Sequence, residues 1–219
     1  MMSNKHNDEQ YTRRMPKLSF GVTVALSLLL GQSVPTNAAD EHDHHQHHKA
    51  AATETKGYVR TLANYKIPEV SLVDSEGKES LLSEAISPNK PVMLNFIFTT
   101  CTAICPIMSA AFAQVAQQLG AENEALQLVS ISVDPEQDTP EKLKEYAQQF
   151  GAGTQWRFFT GTISDSIHVQ RAFDAYRGDK MSQVPLTFIR DANTTQWVRI
   201  DGLASAADLV KEFRVLAAQ

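Results

Sequence analysis

The only two cysteines of this 219-residue chain, Cys101 and Cys105, stand three residues apart in the segment FIFTTCTAICP. A thiol pair at this spacing can form a disulfide, exchange one with a partner, or hold a soft cation between two thiolates. Closing so short a ring removes little chain entropy, so a stabilising cross-link explains the pair poorly. The spacing therefore favours redox or metal chemistry.

The residues around the pair predict where the two sulfurs lie. The apolar, β-rich run Pro91–Thr100 is typical of a central strand covered on both faces. Pro106 lacks an amide hydrogen and suits the first turn of a helix, where that donor would have no partner. We therefore expect Cys105 at a helix start and Cys101 in the loop before it. The positive end of the helix dipole would favour thiolate there.

Further elements flank this unit in an order that predicts an α/β fold. Tyr65–Leu82 alternates apolar and polar residues around the turn DSEG, which is typical of a β-hairpin. The remaining predicted elements are a strand at Leu126–Asp134, a helix capped by Thr139, a strand at Trp156–Gly161, a helix at Ser164–Arg177, two strands around Ala192–Asn193 and a helix capped by Ser205. This order predicts one α/β sandwich with a mixed sheet.

The first 39 residues have the pattern of a secretory signal peptide. Basic residues precede the apolar stretch Leu18–Leu30, which is shorter than the roughly 20 residues that span a bilayer, and small residues end at Ala39. Cleavage there would leave a periplasmic protein, and an uncleaved segment would leave a membrane-anchored one. In either case the cysteines would meet an oxidising compartment, where a disulfide persists.

Residues 40–57 form a polar, histidine-rich leader without apolar periodicity, which predicts disorder. Its five histidines are His42, His44, His45, His47 and His48. Imidazole binds copper, zinc and nickel, so the leader is either a metal-collecting arm or a solvated linker. The formal net charge of −5 gives no basis for nucleic-acid binding.

The segment FIFTTCTAICP, followed by SISVDPEQDTPEKLKEYAQQFG and WRFFTG, resembles the Sco (SenC/PrrC) proteins of the thioredoxin superfamily. The resemblance covers Tyr65–Leu216. It implies a thioredoxin-like three-layer sandwich over residues 58–219, with an N-terminal β-hairpin and a mixed central sheet. Members are exported or membrane-anchored proteins that help to assemble the binuclear copper centre of cytochrome c oxidase. They deliver copper, reduce the acceptor cysteines, or do both.

By this resemblance Cys101 and Cys105 are copper ligands or redox sulfurs, and the chain departs from the family at the third copper ligand. The family pattern places Ser182 where a histidine is usual. His168, on a predicted helix, is better explained as an ordinary surface histidine. Pro185 matches the position where thioredoxins hold a cis-proline facing the active-site cysteines, which would favour a redox role.

The cysteine pair predicts thiol–disulfide exchange, with Cys101 attacking and Cys105 resolving the mixed disulfide. The resemblance implies that this exchange serves the assembly of a copper centre. Its partner would be a cysteine-containing copper protein or an oxidase subunit, at or near a membrane. The alternative is a copper chaperone or buffer that uses the two cysteines and the leader histidines. A peroxidase of the same superfamily is disfavoured, since TTCTAICP replaces the threonine-proline-x-x-cysteine loop. Asp138 is expected to serve helix capping, while the role of Asp134 is left open.

Overall fold

The computed structural model describes residues 57–120, 125–192 and 194–218. Within them, eight strands form one sheet. The strands are β1 (Tyr58–Asn64), β2 (Ser71–Asp74), β3 (Glu79–Leu81), β4 (Val92–Ile97), β5 (Gln127–Ser132), β6 (Trp156–Thr160), β7 (Leu186–Arg190) and β8 (Gln196–Gly202). Their order across the sheet is β1-β8-β7-β4-β5-β6-β2-β3.

Helices cover both faces of this sheet. They are α1 (Leu82–Ala85), α2 (Ile104–Leu119), α3 (Pro140–Gln149), α4 (Ile163–Ala172) and α5 (Ala206–Ala217). The buried side chains of α2, α3 and α5 pack with one face of the sheet, and those of α1 and α4 pack with the other. The result is a three-layer sandwich with two apolar cores.

Strand β4 is central and buried at every position, as its apolar run predicts. It pairs in parallel with β5, and β5 pairs in parallel with β6, so the carboxyl ends of all three strands lie at one edge of the sheet. The antiparallel strand β7 begins at the same edge. The predicted thioredoxin-like fold with a mixed sheet and the β2–β3 hairpin is confirmed.

Three local features differ from the sequence-based prediction. Strand β1 was not predicted, because YVRTLAN lacks a regular apolar alternation, yet it pairs with β8 along its whole length. Helix α4 ends at Ala172, since Asp174 adopts a left-handed φ of 52° that α-helix does not allow. A 3₁₀ turn at Lys180–Ser182 precedes β7.

The predictions made for residues 1–56, namely the signal peptide and nearly all of the histidine-rich leader, fall outside the described residues. Within the described residues, no helix combines the length and the apolar character that crossing a membrane requires.

Candidate thiol site

The two cysteines lie at the carboxyl end of β4, where the chain turns into α2. The amide of Cys101 donates a 3.1 Å hydrogen bond to Phe98 O, which closes the turn that follows the strand. Helix α2 begins at Ile104, one residue before Cys105, and the amide of Cys105 points at Cys101 Sγ across 3.5 Å. Both cysteines are free thiols. The strand–loop–helix placement predicted from Pro106 is therefore correct to within one residue.

The two thiols differ sharply in their surroundings. Cys105 is fully buried in the core that α2 shares with the sheet, whereas Cys101 is partly exposed. Burial, reinforced by the hydrogen bond with Cys101, raises the pKa of the Cys105 thiol. Partial burial also acts to raise the pKa of Cys101. It is outweighed by hydrogen bonds from the Cys105 side chain and from the backbone of Cys105, Ala103 and Ile104, so the pKa of Cys101 is lowered.

The lowered pKa gives a pH-dependent prediction for Cys101. Only thiolate reacts with iodoacetamide, so the alkylation rate rises with pH and levels off above the pKa. We expect the midpoint for Cys101 to fall below the value of about 8.5 of an ordinary cysteine, and Cys105 to stay unmodified in the folded protein. Residue-resolved mass spectrometry after timed alkylation measures both. Equal rates at the two cysteines, or a Cys101 midpoint at 8.5 or above, would contradict the assignment.

Asp138 is a fully buried carboxylate that fixes the segment leading to the cysteines. It accepts hydrogen bonds from Thr99 Oγ1 at 2.6 Å, from the Thr99 amide at 3.1 Å and from Ser132 Oγ at 2.6 Å. It also lies close enough to Cys105 for its negative charge to help raise the pKa of that thiol. The expected capping role for Asp138 is wrong, because Thr139 alone caps α3 through the amide of Lys142.

The role of Asp134 is left open by the sequence. In the structure its Oδ2 pairs with Lys180 Nζ across 2.5 Å. That hydrogen bond raises the pKa of Lys180. The same ammonium lies 5.8 Å from the ring centroid of Phe98, within the range of a cation–π contact. Gln183 Nε2 donates a 2.8 Å bond to Phe96 O. These contacts hold the 3₁₀ turn against the strand end that carries the cysteines.

A buried polar contact joins α2 to α3 near the site. Ser109, one helical turn after Cys105, bonds the hydroxyl of Tyr146 across 2.9 Å, and both side chains are buried. Burial raises the pKa of Tyr146, so the phenol stays neutral at physiological pH. This contact fixes the first half of α2 and hence the position of Cys105.

The other predicted site residues have mixed outcomes. Ser182 is exposed in the 3₁₀ turn, and His168 is exposed on α4. Pro185 directly precedes β7, and its carbonyl accepts a 3.0 Å bond from the Gly202 amide, continuing the β7–β8 ladder. No cis peptide bond occurs in the described ranges, so Val184–Pro185 is trans. The cis geometry expected by likeness to thioredoxins is therefore not adopted. Pro185 gives no support for a redox role.

The described part of the chain contains no cluster of three or more histidine, cysteine, aspartate or glutamate side chains placed to hold a metal ion. Two adjacent soft thiols are nevertheless suitable ligands for Cu(I). The five leader histidines fall outside the described residues. The only histidine of the described ranges, His168, is not grouped with the cysteines.

This arrangement defines a thioredoxin-like protein with an asymmetric thiol pair at the carboxyl edge of its sheet. The family model described as SCO1/SenC matches residues 60–195. The chain therefore belongs to the SCO1/SenC family.

Curated relatives align with about half of the chain. Over 114 residues the chain is 36% identical to a SCO1 protein homolog of Bacillus subtilis, covering 50% of this chain and 56% of the relative. Over 106 residues it is 35% identical to a putative copper-binding protein of Stutzerimonas stutzeri, covering 48% of each chain. The chain thus spans about half the length of the curated relatives it matches.

A solved structure resembles this chain in fold over a larger part of its length. The structure of BsSco, described with a disulfide switch and as a member of the Sco family of cytochrome c oxidase assembly proteins, aligns with a TM-score of 0.61 at 24% identity. The alignment covers 73% of this chain and 98% of that one. At this identity the match establishes the shared fold.

Proposed function

We propose that this protein is exported and uses Cys101 and Cys105 as a dithiol/disulfide couple in the assembly of a copper centre of the cytochrome c oxidase type. The observation that carries the proposal is the asymmetry of the pair: a partly exposed thiol with a lowered pKa beside a buried thiol with a raised one. The first suits attack on a partner, and the second suits a resolving role. Membership of a family that includes an oxidase assembly protein supports the copper-centre context.

The exchange is a two-step transfer of one disulfide. The Cys101 thiolate attacks one sulfur of the partner's disulfide, the partner's S–S bond breaks, and a mixed disulfide forms while one partner thiolate leaves. Cys105 then loses its proton and attacks Cys101 Sγ. The mixed disulfide breaks, the second partner thiolate leaves, and Cys101–Cys105 becomes the disulfide. The partner gains two electrons and takes up two protons as the pair is oxidised.

The burial of Cys105 makes its deprotonation the demanding part of the second step. Its thiol carries a raised pKa and lies near the buried carboxylate of Asp138. While Cys101 is an anion, the buried thiol donates to it, which keeps Cys105 protonated until a mixed disulfide removes that charge. The pair therefore favours attack from Cys101 and delays ring closure until the partner is bound.

The proposed partner is an exported copper protein or oxidase subunit whose copper-ligand cysteines can form a disulfide. The signal-like pattern of residues 1–39 supports a periplasmic location for this exchange. In that oxidising compartment such ligand cysteines become disulfides. Reducing them makes the thiolates available for copper.

A direct test uses a soluble oxidase fragment that carries the copper-ligand cysteines, oxidised to a disulfide beforehand. We expect the reduced full chain to convert this fragment to the dithiol in equimolar amounts, with appearance of the Cys101–Cys105 disulfide. Thiol-specific labelling followed by mass spectrometry measures both changes. A fragment that stays oxidised, under conditions where dithiothreitol reduces it, would contradict the proposed function.

A second candidate function is Cu(I) binding for delivery or buffering. It is favoured by the hydrogen-bonded pair of free thiols and by the copper-binding name of the relative from Stutzerimonas stutzeri. Copper would then be cargo, held by the sulfurs of Cys101 and Cys105, and binding would release the thiol protons. The two functions use the same atoms and are mutually exclusive at any moment, because a disulfide has no thiolate to bind Cu(I).

A further inference from the structure

A thioether, that of Met181, lies exposed beside the position where the family pattern would place a histidine. Of the three methionines in the described ranges, Met93 and Met108 are buried in the core, whereas Met181 is 77% exposed. No other large apolar residue in the described part is as exposed. An exposed methionine contributes little to stability through burial, so its placement has no packing explanation.

We propose that Met181 is a third ligand for Cu(I), completing an all-sulfur site with Cys101 and Cys105. The proposal rests on the copper-binding function suggested above and names the residue that takes the place of the missing histidine. It assigns the third ligand to the folded domain and not to the leader.

The turn that carries Met181 is attached to the same strand end as the cysteine loop. Lys180, the preceding residue, pairs with Asp134 and lies over the ring of Phe98. Two residues further on, Gln183 bonds Phe96 O. The carbonyl of Phe98 in turn accepts the amide of Cys101. Phe98 is thus contacted both by the turn that bears Met181 and by the loop that bears Cys101.

The backbone of Met181 is fixed while its side chain is free. Its amide donates a 2.6 Å bond to Asp179 Oδ1, which holds the start of the 3₁₀ turn. The side chain is unbranched, has three rotatable bonds and extends into solvent. A fixed anchor with a flexible arm allows the sulfur to swing onto a bound ion without refolding of the turn.

The chemistry of Met181 suits Cu(I) better than that of its neighbour Ser182. Cu(I) is a soft cation that prefers thiolate and thioether sulfur, whereas a serine hydroxyl is a hard, weak donor for it. A thioether binds without losing a proton, so only the two thiols release protons on copper binding. The site would carry one net negative charge, from two thiolates and one Cu(I).

The test titrates Cu(I) into the reduced full chain in competition with a chromophoric Cu(I) chelator and records the copper X-ray absorption spectrum. We expect three sulfur scatterers in the unmodified protein. Met181→Leu should leave two sulfurs and weaken Cu(I) binding by at least about tenfold, since even outer partners of metal ligands are worth about 10- to 100-fold in affinity. Met108→Leu removes a buried thioether on α2 and should change neither result.

A substitution with a nitrogen donor provides a second readout. Met181→His should recover most of the affinity and give a spectrum of two sulfurs and one imidazole nitrogen. If the unmodified protein already shows imidazole in place of a third sulfur, the leader histidines supply the ligand and the proposal is overturned.

The same titration separates this inference from the function on which it rests. If Cys101→Ser abolishes Cu(I) binding while Met181→Leu binds as tightly as the unmodified protein, the Met181 assignment alone is wrong. If Cys101→Ser and Cys105→Ser both bind Cu(I) unchanged, copper binding at the thiol pair is wrong and the Met181 assignment is lost with it.

Discussion

Replacement of Cys101 by serine is expected to lower the rate of disulfide reduction by about 1,000-fold or more, the scale on which losing an activated nucleophile acts. In the proposed exchange the partly exposed sulfur with the lowered pKa supplies the thiolate, and a serine hydroxyl at the same place does not ionise at neutral pH. The buried thiol of Cys105 cannot substitute, because its raised pKa and full burial keep it protonated and out of reach. The measurement is the initial rate of thiol release from a small aromatic disulfide.

Cys105→Ser is the matched control for this experiment. This variant keeps the attacking thiolate but lacks the resolving one, so it should react once and stop at a mixed disulfide on Cys101. Intact-mass spectrometry should show the protein plus half of the disulfide reagent. A Cys101→Ser variant that reduces the disulfide at the unmodified rate, or a mixed disulfide trapped on Cys105 in the unmodified chain, would reverse the assignment.

Asp138→Ala is expected to lower the free energy of unfolding by about 3 kcal/mol or more. The substitution leaves the buried hydroxyl of Ser132 and the half-buried amide and hydroxyl of Thr99 without their acceptor, and a buried unpaired polar group costs about 1–3 kcal/mol. Since Thr99 precedes Cys101 by two residues, the cysteine loop should also loosen. Chemical denaturation followed by tryptophan fluorescence measures the loss.

Two variants make the Asp138 result specific. Asp138→Asn keeps the shape but turns one acceptor into a donor that faces other donors, so it should also destabilise, by less than alanine. Asp134→Asn weakens only the pairing with partly exposed Lys180 and should have a much smaller effect. Equal losses for Asp134→Asn and Asp138→Ala would show that the buried network does not hold the loop.

Much of the fold can be read from local patterns. The buried run of β4, the cap at Thr139 and the stripe of α5 each carry a signal within a few residues, and each element appears where that signal places it. Strand β1 lacks such a signal because its order comes from pairing with β8, which lies more than a hundred residues away. The end of α4 is likewise set by the left-handed backbone at Asp174.

The thiol site could be located from the sequence, but its supporting contacts could not. The spacing of Cys101, Cys105 and Pro106 placed both sulfurs at a strand–helix junction. The role of Asp138 depends on Thr99, 39 residues earlier in the chain. Aspartate next to a helix start ordinarily suggests capping, so the local signal pointed to the wrong partner.

The 3₁₀ turn before β7 shows the same limit. Pairing of Lys180 with Asp134, and the contact of Gln183 with Phe96, join residues 46 and 87 positions apart. Family resemblance drew attention to Ser182 and Pro185, while the exposure of Met181 appeared only in the folded structure. A thioether beside a position lacking its usual histidine is a signal that sequence reading could have used.

In the proposed function Cys101 and Cys105 form one reversible redox couple. Equilibrating the full chain in thiol–disulfide buffers of graded potential, quenching with acid and counting free thiols by mass spectrometry tests this most directly. We expect a single two-electron transition, in which both free thiols are lost together to one intramolecular disulfide and both return on reduction. Independent oxidation of the two cysteines, or persistence of both thiols across the whole series, would contradict it.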